Sequence, residues 1–217
     1  LAFNVFSALF FLKGLKKPWL LLLSAVFASL SLYTYQSEKI FTPLLLILLV
    51  LVYRQELWIV GKKYLVTAFL TGAIISFPLI NYTLTDAQAL TRARGVSIFA
   101  DQTSFLQKTS QRLLLDQKNN DKLGTLLDNR RLQYGLAVAS GYLSHFDLNW
   151  LFLKGDEARH HAPQMGLLYL FELPFILVGI YCLIFGEFSK KTKYLVFGSF
   201  LLAPIPASIT SGDPHAI

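Results

Sequence analysis

The sequence predicts an all-α, polytopic membrane protein: a transmembrane helical bundle of about five full spans, preceded by a truncated one, with a helical extracytoplasmic region. The first observation is composition, since 54% of the residues are hydrophobic and only 15% are charged. The mean hydropathy of +0.49 also lies outside the range of ordinary soluble domains. The second observation is that long apolar runs alternate with short links rich in Lys and Arg.

Five apolar runs approach the length of about 20 residues that a spanning helix needs. We predict spans at 18–35, 40–53, 64–82, 166–185 and 194–210. The second run is short and is expected to recruit flanking residues, with Tyr53 and Trp58 as interfacial anchors. Residues 1–12 have no basic flank before them and no cleavage site, so they are expected to be the end of a helix that starts upstream, not a signal peptide.

The basic residues of the links predict the orientation. Links 13–17, 54–63 and 186–193 each carry three Lys or Arg, and the positive-inside rule assigns them to the cytoplasm. Residues 36–39, 83–165 and 211–217 are therefore expected outside. This places all four histidines and most of the acids on the outer side. Any chemistry is expected there.

The segment 83–165 shows helical periodicity, so we predict a helical extracytoplasmic loop inserted between spans of one domain that covers 1–217. One amphipathic helix is expected to start near Asp101 or Thr103. After a polar break, a second helix is expected to carry one apolar stripe, formed by Leu123, Leu127, Tyr134, Val138 and Tyr142. A lid or packing element is the simplest role for such helices.

Two classes of site are excluded or disfavoured. Cys182 is the only cysteine, so the chain can form neither an internal disulfide nor a cysteine-based metal site. The net charge of +7 could suggest nucleic acid, but nine of the twenty basic residues lie in the three cytoplasmic links. No patch interleaves aromatic and basic residues, so we expect no nucleic-acid partner.

Polar residues collect where the fourth and fifth predicted spans meet the outer face. The stretch "LFLKGDEARHHAPQMGLLYLFELPF" (151–175) carries Asp156, Arg159 and His160, and the chain ends with Asp213 and His215 on the same side. Arg can bind phosphate oxygens with a bidentate fork, so these residues are candidates for binding a lipid phosphate or an acceptor. The alternative without a binding site is that charged residues such as Lys154, Glu157 and His161 only anchor the chain at lipid headgroups.

A metal site is not expected. The adjacent His160 and His161 would point in different directions on a helix, and no H-x-x-x-H spacing occurs. If a divalent metal did bind, His215 would be the best third ligand. We therefore expect no cofactor.

Glu172 and Tyr35 are the remaining candidates. Glu172 is expected about five residues inside its span, where a carboxylate must be protonated or paired, with Arg159 or Arg94 as partner, so it is assigned a site-shaping role. Pro174 is expected to kink the helix at that depth. Tyr35 could belong to an aromatic belt or contact sugar or phosphate.

Four stretches carry a resemblance to a known family: "LYTYQSEKIFTPLLLILLVLVYRQEL", "RARGVSIFAD", "GYLSHFDLNWLFLKGDEARHHAPQMGLLYLFELPFILVGIY" and "LLAPIPASITSGDPHAI". In this order and at these distances they resemble the middle of bacterial membrane glycosyltransferases of the GT-C class. These are the family 39 proteins, related to dolichyl-phosphate-mannose protein mannosyltransferases and the lipid A aminoarabinose transferase. In relatives "DPHAI" usually continues with an arginine that this sequence does not contain.

The resemblance implies a multi-pass enzyme of the bacterial inner membrane with its active face outside. It would transfer a sugar from a polyprenyl-phosphate donor to a lipid, glycan or protein acceptor. The implied catalytic acid lies upstream of residue 1, so no residue here receives that role, and the 217-residue chain alone is expected to be inactive. The alternatives are a polytopic transporter or flippase-like protein, disfavoured by the scarcity of charge in the spans, and a non-catalytic membrane scaffold.

Overall fold

The computed structural model describes residues 1–86, 89, 91, 95, 97–99, 104–155 and 165–210, apart from the side chains of 104–106. Within these ranges the regular structure is helical, with no strand and one antiparallel bridge between Ser97 and Thr210. The helices are α1 Ala2–Gly14, α2 Leu20–Thr34, α3 Glu38–Val52, α4 Arg54–Ile59, α5 Lys62–Thr85, α6 Ser104–Lys118, α7 Lys122–Leu127, α8 Arg130–Ser144, a π-helix Trp150–Lys154, α9 Glu172–Phe185, α10 Lys190–Leu202 and α11 Ile205–Ser208.

The expectation of about five full membrane spans is wrong. Among the described residues, α5 is the one helix long and apolar enough to cross a membrane, by length and composition, and only 6% of its most apolar window is buried. Its 24 residues extend about 36 Å at 1.5 Å per residue. The helices α2 and α3 have 15 residues each and reach about 22 Å, short of the roughly 30 Å of a hydrocarbon core.

The apolar runs give short helices because other contacts end them early. The fourth predicted span was to begin at 166, but Gly166 packs against the π-helix so closely that an added Cβ would lie 2.3 Å from the carbonyl carbon of Phe152. The chain turns there, and α9 starts only at Glu172. The fifth run is cut after Leu202, close to Pro204, which lacks the N–H that a continuing helix would use.

The chain divides into two compact units, in which the described residues within 1–89 and 174–206 form the first and those within 90–173 and 207–210 form the second. In the first unit α2 packs against α1, α3 and α5, and α10 packs against α3. A buried cluster joins these helices at one end of the unit, formed by Phe11, Leu21, Leu45, Leu49, Leu57 and Val60.

That cluster lies beside the three basic links. Leu15 at the end of α1, Tyr53 after α3, Leu65 in α5 and Leu195 in α10 all pack against it. The links that follow α1, join α3 to α5 and precede α10 therefore lie at the same end of the first unit. The membrane orientation that their charge predicts stays a prediction.

In the second unit, side-chain caps set the helix boundaries. Asp121 Oδ1 accepts hydrogen bonds from the backbone N–H groups of Leu123 and Gly124, both at 3.0 Å, and starts α7. Asn129 Oδ1 accepts from the N–H of Arg131 at 2.9 Å and starts α8. The single helix expected to carry the stripe from Leu123 to Tyr142 is therefore wrong, because the Asn129 cap divides it.

The apolar stripe holds only for the later of these two helices. Tyr134, Val138 and Tyr142 are partly buried on α8, whereas Leu123 is 73% exposed on α7. The first amphipathic helix is described from Ser104 onward, so the proposed caps at Asp101 and Thr103 lie outside the described residues.

Candidate functional site

Most of the residues that the sequence singled out lie outside the described part of the chain. These are Asp156, Arg159, His160, Asp213 and His215. Glu157, His161 and Arg94 lie outside it as well. The binding roles of these residues therefore stay predictions.

Tyr35 is described, and it ends α2. Its backbone is extended, with φ −154° and ψ 156°, and its side chain is half exposed at 53%. Tyr33, two residues earlier, is anchored differently, because its hydroxyl donates to the carbonyl of Ile75 at 2.6 Å. Tyr35 therefore presents an exposed aromatic ring at the turn between α2 and α3, while Tyr33 ties α2 to α5.

Glu172 starts a helix instead of lying inside one. It is the first residue of α9, and its Oε2 accepts a hydrogen bond from the backbone N–H of Tyr169 at 2.9 Å. Pro174 consequently falls in the first turn, where its missing N–H removes no intrahelical hydrogen bond. A proline in the first turn does not kink a helix, so the kink expected at Pro174 is not produced. The site-shaping role of Glu172 stays a prediction.

A polar cluster that the sequence did not single out lies at the start of α3. It consists of Glu38, Asn4 of α1, Ser31 of α2 and Thr42 of α3, which we call the Glu38 cluster. Asn4, Ser31 and Thr42 are 2%, 0% and 1% exposed. The side chain of Glu38 remains 14% exposed. A carboxylate thus lies at the edge of a buried polar cluster shared by three helices.

The hydrogen bonds converge on one oxygen of that carboxylate. Glu38 Oε2 accepts from Asn4 Nδ2, and it lies 3.2 Å from both Ser31 Oγ and Thr42 Oγ1. Thr42 Oγ1 is also 2.9 Å from Asn4 Oδ1, its shortest contact to an acceptor, and 3.2 Å from Ser31 Oγ. A hydroxyl has one proton, so the shortest distance favours donation from Thr42 to Asn4, while Asn4 and Ser31 donate to Glu38.

The other oxygen, Oε1, is much less engaged. Its one hydrogen-bond partner in the described part of the chain is the N-terminal ammonium of Leu1, which lies 3.4 Å away and also forms an ion pair with Glu38. No Lys or Arg side chain within the described ranges forms an ion pair with Glu38.

A second charged contact lies at the basic end of the first unit. Lys191 of α10 donates to Glu56 Oε1 of α4, and its ammonium lies 5.6 Å from the ring centroid of Tyr53. The hydrogen bond from Lys191 holds the pKa of Glu56 below its usual value. Both side chains are about one third exposed, so the pair joins helices and is not an enclosed site.

The second unit contains acidic residues that face one another. Burial raises the pKa of Asp116 on α6, and the nearby Asp128 raises it further. Directly after α8, His145 Nδ1 lies 2.6 Å from the carbonyl oxygen of Gly141, and the centroid of its ring lies 5.5 Å from that of Trp150. These contacts fix the histidine at the end of its helix.

Metal-binding geometry is not found in this part of the chain. Across the described residues no group of three or more His, Cys, Asp or Glu side chains could hold a metal ion. His160, His161 and His215 lie outside those residues, so the alternative that assigned them a metal is untouched by this finding.

The Glu38 cluster was missed because its members look unremarkable in the sequence. Asn4 and Thr42 are 38 positions apart, and each is a lone polar residue in an apolar run. A usable signal did exist: Asn4 and Glu38 are costly to bury unless they find a partner. Only the packing of α1, α2 and α3 shows that they partner one another.

Comparison with known proteins gives no assignment: no family model, no curated protein and no solved structure matches the chain.

Proposed function

We propose that this chain is part of a membrane glycosyltransferase that moves a sugar from a polyprenyl-phosphate donor to a lipid, glycan or protein acceptor on the extracytoplasmic face. The observation that carries the proposal is the run "KGDEARHHAPQMGLLYLFELPF" followed at a distance by "DPHAI", which resembles GT-C enzymes of family 39. The exposed ring of Tyr35 and the exposed apolar surface of α5 are compatible with that role.

Some of the named residues would bind the donor, and others would bind the sugar or the acceptor. Arg159 and His160 would bind the donor phosphate, because charge-assisted hydrogen bonds to phosphate are strong and a guanidinium fits it with two N–H groups. Asp156, Asp213 and His215 would bind the sugar or the acceptor, and Tyr35 would contact the sugar. The base that takes the acceptor's proton would lie upstream of residue 1, so the chain by itself would bind substrate without transferring sugar.

The bacterial inner membrane is the proposed location, and α5 is the element that supports it. Lys62 and Lys63 open this helix and Tyr64 follows them, while Tyr82 lies near its other end. Basic residues at one end and tyrosines near both ends fit a helix whose basic end faces the cytoplasm. Along its middle, Phe69, Ile74 and Phe77 are 75%, 71% and 66% exposed, which suits contact with lipid chains.

Sugar transfer by the full-length protein tests the proposal. Membrane vesicles containing it are incubated with a panel of polyprenyl-phosphate sugars, and lipid, glycan and protein products are separated and identified. Arg159→Ala should lower transfer roughly ten- to a hundredfold, because one charge-assisted contact contributes about 1.5–3 kcal/mol. Lys118→Ala, at the end of α6, is the matched control and should leave transfer near wild type.

Two results would count against the proposal. One is the absence of transfer from every donor by the wild-type protein. The other is equal activity of the Arg159 and Lys118 variants, which would reduce the basic cluster to a headgroup anchor. We further propose that no metal cofactor takes part, so transfer should survive chelation by EDTA.

A further inference from the structure

Helix α8 carries two apolar stripes, and one of them is exposed. Tyr134, Val138 and Tyr142 form the stripe that is partly buried. The other stripe repeats at spacings of four, three and four residues and consists of Leu132, Leu136, Ala139 and Leu143. At about 100° per residue these four positions fall within about 60° of arc, on a different side of the helix from the tyrosines. All four are exposed, Leu136 by 51% and Leu143 by 64%.

Helix α7 exposes leucines in the same way. Leu123, Leu126 and Leu127 are three and four residues apart, so they lie on one face, and they are 73%, 63% and 55% exposed. The helix packs on α6 through another side, because a Cβ added at Gly124 would lie 2.6 Å from Cγ of Asp116. We call the exposed leucines of α7 and the exposed stripe of α8 the leucine faces. Both are left uncovered by the packing of the unit.

Exposed cations accompany both leucine faces. Lys122 comes directly before Leu123, and Arg131 comes directly before Leu132, so each lies about 100° around its helix from the first leucine. Both cations are exposed, and neither forms an ion pair within the described part of the chain. Each stands in the first turn of its helix, where the helix dipole disfavours a positive charge. Local helix stability therefore does not account for these two positions.

The charge around the leucine faces is positive. Residues 104–155 contain seven Lys or Arg and four Asp, a surplus of three positive charges. The acids beside the leucine faces are engaged within the unit, since Asp121 caps α7 and Asp128 accepts a hydrogen bond from Gln133 Nε2 at 3.3 Å. The charges left to meet a partner are therefore basic, and a partner that complements them is anionic.

An anionic bilayer fits both features better than a protein does. Leucines that face acyl chains and cations at the level of the phosphates are the pattern of a helix that lies in a membrane interface. Protein–protein interfaces depend instead on Trp, Tyr and Arg anchors, with Leu under-represented among them, and the leucine faces contain only Leu and Ala. In the chain this unit follows α5, which has the length and composition to cross a membrane, so a bilayer is within reach wherever α5 is inserted.

We propose that the leucine faces of α7 and α8 dock on an anionic phospholipid surface. The leucine side chains enter the boundary between headgroups and acyl chains, while Lys122 and Arg131 contact lipid phosphate. This inference rests on the membrane location given in the proposed function and deepens it, because it assigns a lipid partner to the helices between α5 and α9. With 6 and 15 residues, α7 and α8 reach about 9 Å and 22 Å, so they lie along the membrane and do not cross its core of roughly 30 Å.

Spin-label accessibility in the full-length protein tests the docking. Every native cysteine, Cys182 included, is replaced by serine, and a nitroxide is attached after Leu126→Cys or Leu136→Cys. The protein is placed in nanodiscs of phosphatidylcholine, with or without phosphatidylglycerol. Power saturation then measures collisions with O2, which concentrates among acyl chains, and with a water-soluble nickel chelate. Ser140→Cys is the matched control, because Ser140 is an exposed polar residue of the same helix.

In discs with phosphatidylglycerol we expect the ratio of O2 to nickel collisions to be several-fold higher at the two leucine positions than at the Ser140 position. Lys122→Glu combined with Arg131→Glu should lower that ratio towards its value in phosphatidylcholine alone. The proposal is overturned if the leucine labels meet the nickel chelate as often as the Ser140 label does, which means water, or if neither reagent reaches them, which means a protein cover. It also fails if phosphatidylglycerol and the charge reversals leave the ratio unchanged.

The accessibility assay and the transfer assay fail independently. Lipid contact of the leucine labels without sugar transfer would keep the docking surface and remove the proposed function. Sugar transfer by a protein whose leucine labels remain in water would keep the function and remove the docking surface.

Discussion

Replacing Thr42 by valine removes one hydroxyl from the Glu38 cluster and keeps the shape of the side chain. Thr42 is 1% exposed, and its hydroxyl lies 2.9 Å from Asn4 Oδ1. Asn4 is 2% exposed, so water cannot replace the lost donor. The substitution therefore leaves a buried amide oxygen without its hydrogen bond, because Thr42 is the one described residue that donates to it.

The cost follows from that unsatisfied acceptor. Leaving a buried polar group without a partner costs about 1–3 kcal/mol, since the desolvation penalty remains while the bond is lost. For a chain of this size each kcal/mol lowers the thermal midpoint by about 2–4 °C, so a loss of roughly 2 kcal/mol predicts a decrease of about 4–8 °C. Thermal unfolding of the purified protein in one detergent, followed by circular dichroism, measures this shift.

Thr85→Val is the matched control, because it makes the same atomic change at an exposed position. The hydroxyl of Thr85 donates to the carbonyl of Asn81 within α5 at 2.8 Å, and water can take over both groups. An exposed substitution of this kind should change stability by less than about 0.5 kcal/mol. If Thr42→Val lowers the midpoint no more than Thr85→Val, the cluster is not a buried network and the argument built on it fails.

Three further predictions concern other parts of the chain. Because the pKa of Glu56 is lowered, its pair with Lys191 stabilises the fold above the unfolded pKa, and this stabilisation is lost as pH falls through the folded pKa. Glu56→Gln should therefore weaken the dependence of the thermal midpoint on pH between neutral and acid conditions, and an unchanged dependence would contradict this. Burial raises the pKa of Asp116 above its usual value, so the stabilisation by its protonated form is present below the unfolded pKa and is lost as pH rises through the folded pKa. Asp116→Asn should therefore raise the thermal midpoint at neutral pH but not below the unfolded pKa, and equal midpoints of variant and wild type at neutral pH would refute this. Gly166→Ala should destabilise the protein by about 1–3 kcal/mol, because the added Cβ overpacks against the π-helix. A Cβ added at Gly135 meets nothing within 4 Å, so Gly135→Ala should be neutral or stabilising. Equal thermal midpoints for the two variants would disprove the close packing at Gly166.

Helicity could be read from the sequence, whereas helix length could not. The apolar runs at 18–35, 40–53 and 64–82 are each mostly covered by one helix, because apolar composition and the lack of alternation favour helices. Membrane crossing was wrongly predicted for most of these runs because the hydropathy of a run reports how many apolar residues it has and not how many of them are helical. Where Gly166 packs against the π-helix, six apolar-run residues are taken out of the expected helix.

The functional residues divide in the same way. Local sequence was enough to choose Tyr35 and Glu172 as candidates, and the structure then showed that one is exposed at a turn and the other starts a helix. Glu38 was passed over, because its environment is made by Asn4 and Ser31 from two other helices. The hydrogen bonds that distinguish it from a surface glutamate are all tertiary.

The sequence by itself determined that the chain is helical and strongly apolar, that its basic residues are concentrated in three links, and that one cysteine can form no internal disulfide. These properties depend on composition and on local periodicity, which the order of residues already contains. Only the tertiary structure decided that α5 alone among the described helices has the length and composition to cross a membrane. It also decided that the basic links lie at one end of the first unit and that Glu38 faces Asn4, Ser31 and Thr42. Contacts between residues far apart in the chain depend on how whole helices pack, and short-range sequence patterns do not determine that packing.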